Sequence, residues 1–277
     1  MLGSLILFST LTLSGTPAVQ SVCLQVAPVH NGKWSRTPNH TQAVLLIHGY
    51  HVHLFDKNVP KAEFRPWQKA DSPLVKALAK NADVYALAYG QNASLDTIVK
   101  HSALAPSVAE LRKLGYTDVV LVGHSAGGLI ARHFVEDHPD AGITKVIQVC
   151  APNAGTPLAK LSGPKSQKVF INCLTTEERK KCLELRADKK IPDNVQFLCV
   201  VARGEGDAPS DGVVPCASQW SEDLRKQGIG AHLVSGTHRE VVREESLANT
   251  LATLARNQQQ RWSPERIEKE RKRILGK

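Results

Sequence analysis

The 277-residue chain predicts an α/β fold, a mostly parallel central sheet with helices on both faces. Three observations carry that expectation. Six apolar runs of six to eight residues are rich in β-branched side chains and do not alternate with polar ones, as in strands buried on both faces. Helical patterns separate most of these runs, a rhythm that packs by right-handed crossovers. The composition, 42% hydrophobic and 22% charged but only 5% aromatic, supplies one sizeable core built mainly from Val, Leu, Ile and Ala.

In chain order, residues 1–18 (MLGSLILFSTLTLSGTPA) carry no charged side chain, and the first Lys or Arg is Lys33. An apolar stretch of about a dozen residues is short for a membrane span but suits a secretory leader, with small residues at Thr16, Pro17 and Ala18 for cleavage. The basic start of such a leader is missing. The expectation is a signal peptide and a secreted or periplasmic protein; an uncleaved membrane anchor or a buried N-terminal strand are the alternatives. The main domain is read as residues 19–256. Its strands are AVLLIH (43–48), DVYALAY (83–89), DVVLVG (118–123), TKVIQVC (144–150), VQFLCVVA (195–202) and AHLVSG (231–236). Its helices open at Ser72-Pro73, run from Ser94 to Leu114, span GGLIARHFVEDH before Pro139, and follow Arg239 toward Asn257. Residues 153–194 break the rhythm with one convincing helix, TEERKKCLELRA; long excursions of this kind are usually lids or binding loops.

The net charge is +9, and residues 256–277, with eight basic and three acidic side chains, hold five of those nine charges. Residues 257–277 therefore read as a basic, solvated terminal helix, with Ser263 as N-cap and Pro264 as its first residue. Its charge suits a weak contact with an acidic surface, and no nucleic-acid partner is expected. The protein is expected to be a monomer. Six cysteines suit an oxidising compartment, and Cys173 and Cys182 are the first pair expected to bridge. Cys150 and Cys199 lie in apolar runs and read as buried thiols.

The strongest chemical signal is Gly123-His124-Ser125-Ala126-Gly127, directly after an apolar run and directly before a helical one. A serine at a tight strand-to-helix turn is exposed for attack, and glycines two positions away let neighbouring backbone approach. The following helix offers free N–H groups and positive potential to an oxyanion. The arrangement resembles the α/β-hydrolase fold, in its lipase and esterase branch that includes secreted triacylglycerol lipases, over about residues 40–256.

The resemblance implies a nucleophile, then an acid, then a histidine in chain order. A serine hydroxyl needs an imidazole to take its proton, and the imidazole needs a carboxylate to fix its tautomer. Ser125 is the expected nucleophile. The family's acid follows the strand at 195–202 in an Asp-Gly-Val-Val-Pro-like turn, which places it at Asp211; Asp207 is the alternative acid and Glu205 a more distant one. His238 follows the last strand, whereas His232 lies inside it. The family's oxyanion loop matches His48-Gly49-Tyr50, so the backbone N–H groups of Tyr50 and Ala126 form the expected oxyanion hole, with His48, Gly49, Gly123 and Gly127 as supporting loop residues. His51 and His53 then sit at the cleft mouth. A zinc site would need spacing such as HExxH, which is absent; no metal and no cofactor are expected. Some family members hold calcium through an aspartate two positions after the histidine, where this chain has Glu240. Residues 153–194, entered through CAPNAGTPLAK, correspond to the family's cap, whose helix is too charged here to offer a broad oil-facing surface.

The implied function is hydrolysis of carboxylic esters, on a small-molecule or lipid ester, through an acyl-enzyme. An acyltransferase or thioesterase on the same triad is the alternative, and a non-catalytic binding protein of the same fold is the rival of a different class.

Overall fold

The computed structural model describes residues 19–29, 33–52, 61–161, 163–206 and 209–276. The expected leader, His53 and the alternative acid Asp207 lie outside the described residues. Seven strands form one sheet: β1 (Ser21–Ala27), β2 (Gln42–Ile47), β3 (Asp83–Tyr89), β4 (Asp118–His124), β5 (Lys145–Val149), β6 (Gln196–Arg203) and β7 (Gly230–Ser235). Their spatial order is β1-β3-β2-β4-β5-β6-β7. Every neighbouring pair is parallel except β1 with β3. The six expected strands appear within one residue of their expected ends. β1 leaves little trace in the sequence because it is an edge strand: only its first three residues are buried. No continuous apolar run announces it. Its Gln25 side chain instead exchanges hydrogen bonds with the Ser35 backbone in both directions, each at 2.8 Å.

The helices are α1 (Pro73–Leu78), α2 (Leu95–His101), α3 (Leu104–Lys113), α4 (Ala126–Asp137), α5 (Lys168–Asn172), α6 (Thr176–Leu185), α7 (Cys216–Gln219), α8 (Glu222–Lys226), α9 (Glu245–Arg256) and α10 (Pro264–Leu275). Alternation along each strand splits the core into two layers. Ala43, Leu45 and Ile47 of β2 pack with residues of α2, α3 and α4. Val44 and Leu46 pack with Leu74 and Val75 of α1 and Ala248 and Leu251 of α9. The sheet is therefore covered on both faces, as its unbroken apolar strands require.

Four expectations need correction. The single helix over 94–114 is two, because the chain turns extended at Ser102 and the next N–H, that of Ala103, bonds Ser21 Oγ of the edge strand at 2.8 Å. Pro106 marks the break: it is tolerated only within the first turn of α3, where N–H groups lack intrahelical acceptors anyway. The excursion at 153–194 is richer than one helix, holding α5, α6 and two 3-10 turns at Pro157–Lys160 and Lys165–Gln167. Finally, α10 is capped by Ser263 as expected but is docked rather than solvated. Ile267, Ile274 and Leu275 are buried, and the Trp262 ring meets Trp220 edge-on at 5.9 Å. The expected Cys173–Cys182 bridge is also not formed; all six cysteines are free thiols.

Candidate active site

Parallel strands bring their carboxyl ends to one edge of the sheet, and the loops leaving that edge converge. Ile47, the last residue of β2, is paired in register with Gly123 of β4. The turns that follow, His48-Gly49-Tyr50 and Ser125, are therefore neighbours. Asp211 follows β6 and His238 follows β7 on the same edge.

Ser125 occupies the turn between β4 and α4 with φ 54° and ψ −127°, a left-handed conformation that costs a non-glycine residue energy. Its N–H donates to the Val149 carbonyl at 2.8 Å, and its carbonyl accepts from Gly128 N–H at 2.9 Å. The packing explains the glycines. A methyl group on Gly127 would lie 2.2 Å from the Ile47 carbonyl oxygen, and one on Gly123 would lie 2.4 Å from the Gly127 carbonyl oxygen. A methyl group on Gly49 would lie 2.4 Å from Ser125 Cβ. The His-Gly-Tyr loop is thus pressed against the serine. Ala126 is the first residue of α4, so its N–H has no intrahelical acceptor. His48 is buried, stacks on Tyr89 at 4.3 Å and accepts the Tyr89 hydroxyl at its carbonyl, which fixes the course of this loop.

Asp211 is 1% exposed. Its Oδ1 accepts the N–H groups of Val213 at 2.8 Å and Val214 at 2.6 Å, and its Oδ2 lies 2.7 Å from His238 Nδ1. Its carbonyl also accepts His238 N–H at 2.9 Å. Burial pushes the carboxyl pKa up, but the His238 ring and the two amides outweigh it and hold Asp211 below the usual carboxylate range. An ionised Asp211 keeps the His238 proton on Nδ1 and leaves Nε2 as the acceptor. His238 and Ser125 both line one cavity of about 500 Å³, without a hydrogen bond between them. Such contacts are commonly loose in unliganded hydrolytic sites and tighten on substrate.

Two residues next to this set had no functional expectation. His124 sits beneath His238, ring centres 4.7 Å apart, and its Nε2 donates to the His238 carbonyl at 2.7 Å. Burial, with the neighbouring His238, pushes it down to about 3, so it is a neutral donor. Its only sequence signal is its place before Ser125. Cys150, with φ 55°, lies with Asp211 and His238 so that their potential ligand atoms fall within 4.8 Å. Burial and the Asp211 charge raise its thiol well above the ordinary range, which disfavours the thiolate a metal would need. The Asp211 oxygens are moreover taken by His238 and two amides. Glu240, at the calcium-associated position, accepts Thr237 N–H at 2.7 Å.

The cavity walls come largely from the excursion and from the loops after β6 and β7. Leu158, Leu161, Ile171 and Leu174 form one apolar side, Val213, Val214 and Val242 another. Arg65, Arg239 and Arg243 also line it, and no carboxylate does among the described residues.

The fold matches solved lipases and esterases. Bacillus licheniformis lipase BlEst2 in its mature form superposes with TM-score 0.62 at 14% identity, over 84% of this chain and 97% of that one. Phospholipase PlaB from Legionella pneumophila gives 0.60 at 15% identity, over 85% of this chain and 63% of that one. The metagenomic carboxyl esterase MGS0156 gives 0.55 at 14%, over 86% and 78%. These likenesses establish a seven-stranded α/β-hydrolase architecture. No curated protein matches the sequence. Residues 15–216 match the model of the family described as Domain of unknown function (DUF7379), and the chain belongs to that family.

Proposed function

We propose that the protein is a serine hydrolase of carboxylic esters. One observation carries this reading: a serine in a strained strand-to-helix turn shares a cavity with a histidine whose far ring nitrogen is held by a buried carboxylate. In the proposed reaction Ser125 Oγ attacks the ester carbonyl carbon while His238 Nε2 takes its proton. Asp211 stabilises the imidazolium, and the Tyr50 and Ala126 N–H groups hold the tetrahedral oxyanion. Collapse of that intermediate breaks the bond to the alkoxy oxygen, which receives the proton from His238. Water, deprotonated by the same histidine, then releases the acid from the acyl-serine. The fold likeness to proteins named lipase, phospholipase and carboxyl esterase supports an ester substrate.

The cavity volume lies within the range that holds small organic ligands. Its apolar walls suit a short or medium acyl chain, and the three arginines suit an ester bearing negative charge. Residues 153–194 act as the cap that supplies one wall. We propose export as well, on the uncharged apolar character of residues 1–18, and N-terminal sequencing of the protein recovered from the medium or periplasm checks it.

Fluorophosphonate labelling tests the chemistry. The wild type should label, and Ser125→Ala should not. Asp211→Asn should lower kcat on p-nitrophenyl esters by about 10⁴-fold, and His238→Ala by at least as much. Asp207→Asn should remain near wild type. A folded wild type that neither labels nor turns over any ester overturns the proposal.

A further inference from the structure

A second cavity, of about 240 Å³, lies away from Ser125, between α2, α4 and α6. Both Cys173 and Cys182 line it, with Asp96, His133 and Arg179. His133 Nδ1 lies 2.9 Å from Asp96 Oδ1, and His133 Nε2 lies 3.8 Å from Cys182 Sγ. The set looks like a Cys-His-Asp relay, but its hydrogen bonds say otherwise. Arg179 Nη1 reaches His133 Nε2 at 3.2 Å, so the lone pair that would take the thiol proton already accepts from a cation. Burial also pushes His133 down to about 4, which keeps it neutral. Its role here is to hold the guanidinium in place.

Arg179 is the unusual member. It is 1% exposed, its Nε donates to the Asn153 carbonyl at 3.1 Å, and its Nη2 has no partner among the described residues. The neighbouring cations are neutralised: Arg132 pairs with Glu136 and Asp223, and Arg186 with Glu136 and Asp137. Among the described residues Arg179 has no carboxylate within ion-pair distance. Its Nη1 instead lies 3.3 Å from Cys182 Sγ. A buried cation without a carboxylate favours any anion formed beside it. A sulfur anion at Cys182 is the one the geometry offers.

We propose that Cys182 is a thiol-exchange site that takes low-molecular-weight disulfides, with Cys173 as its resolving thiol. Cys182 gives its proton to solvent and its sulfur attacks one sulfur of the small disulfide. A Cys182–S–S–R bond forms, the R–S–S–R bond breaks, and one small thiolate leaves. The Cys173 sulfur, losing its own proton to water, then attacks Cys182 Sγ and expels the second small thiolate. The two cysteines are oxidised by two electrons, and the small disulfide is reduced to two thiols. Cys173 suits the second step: burial raises its thiol above the ordinary range, so it is the poorer first attacker. It also lies between Ile171 and Leu174, which line the larger cavity, so the bridge would bear on that wall. The charged groups lining the cavity with Cys182 are Asp96 of α2, Glu178, Arg179 and Lys181 of α6, and Arg186 just after it; Glu178 and Lys181 are paired with each other, and Arg186 pairs with Glu136 of α4 behind it.

The test is peptide mass spectrometry of the full chain exposed to oxidised glutathione near neutral pH. Wild type should yield a Cys173–Cys182 cross-linked peptide pair, and Cys173→Ser a stable glutathione adduct on Cys182. Cys182→Ser should leave Cys173 unmodified. Arg179→Gln should slow the Cys182 reaction about three- to tenfold. Arg179→Lys, which keeps the charge, should recover most of the rate, and it replaces the glutamine variant should that one not fold. An adduct on Cys173 in Cys182→Ser at the wild-type rate overturns the proposal. So does an unreactive Cys182 in folded Cys173→Ser whose urea-unfolded form reacts. None of these readouts uses ester turnover.

Discussion

At the scale of single residues, the site depends on contacts with no slack. Gly49 approaches Ser125 so closely that a methyl group would overlap its Cβ. Gly49→Ala must therefore move either the serine or the amide of Tyr50. Displacements of about 1 Å at reacting atoms cost about 10²-fold in rate. The variant should lose about that much in kcat/KM on a short p-nitrophenyl ester, and its thermal melting should fall as well, because the methyl group also meets the His124 carbonyl oxygen at 2.8 Å. In the proposed mechanism His124 stands one step further out, as a positioning residue through the His238 carbonyl. Because burial holds it neutral down to about 3, His124→Gln should lower kcat about tenfold at every pH from 5 to 9. Its pH–rate profile should keep the wild-type shape, whereas a titrating His124 would distort it. The motif residues Gly123, Ser125, Gly127 and His238 were legible because strand, turn and helix patterns surround them in sequence. His124 and Cys150 were not, since their roles arise from side chains some sixty to over a hundred positions away.

At the scale of elements, docking and charge separate cleanly on α10. Ile274 is fully buried, while Lys269, Lys272 and Arg273 of this helix are exposed. Ile274→Ala should cost about 2–4 kcal/mol in urea denaturation, the usual cost of emptying an isoleucine site in a core. Lys269→Gln, on the exposed side, should stay within about 0.5 kcal/mol. Equal small effects from both would mean that the helix is not docked in solution. The sequence made this helix look solvated because twelve residues with three buried apolar positions are dominated by charge. The buried residues fall at 267, 274 and 275, one stripe on a helix, and Trp262 extends it. The buried inner strands were legible for the opposite reason: both faces are covered, so nearly every residue is apolar. The edge strand and the helix break at Ser102 depend on each other through the Ser21–Ala103 hydrogen bond, and neither is evident from its own segment.

At the scale of the whole molecule, the titratable groups taken out of water set the pH range in which the fold is stable. Burial lowers His124 to about 3 and His133 to about 4, against about 6.5 in an unfolded chain. Between those limits the unfolded chain binds protons that the folded one refuses. Stability is thus fully present above about pH 6.5 and falls as pH drops, by about 1.4 kcal/mol per unit for each histidine. Asp83, Asp137, Asp211 and Asp223 are all held below the usual carboxylate range. Burial opposes that shift in each, and hydrogen bonds or nearby cations outweigh it. They extend the loss below about pH 4, as each is protonated through its lowered folded value. On the alkaline side, burial raises Cys23, Cys150, Cys199 and Cys216. Their contribution is complete below the free-thiol value near 8.5 and is lost as pH rises beyond it. The fold should therefore be most stable between about pH 6.5 and 8. Calorimetric unfolding in buffers of different ionisation enthalpy checks the balance. About two protons should be taken up on unfolding near pH 5, few or none near pH 7.5, and protons should be released above pH 9. Unfolding near pH 5 without proton uptake would mean that His124 and His133 are charged in the folded protein. His124 would then carry a positive charge beside His238, and its part as a neutral donor would fail with it.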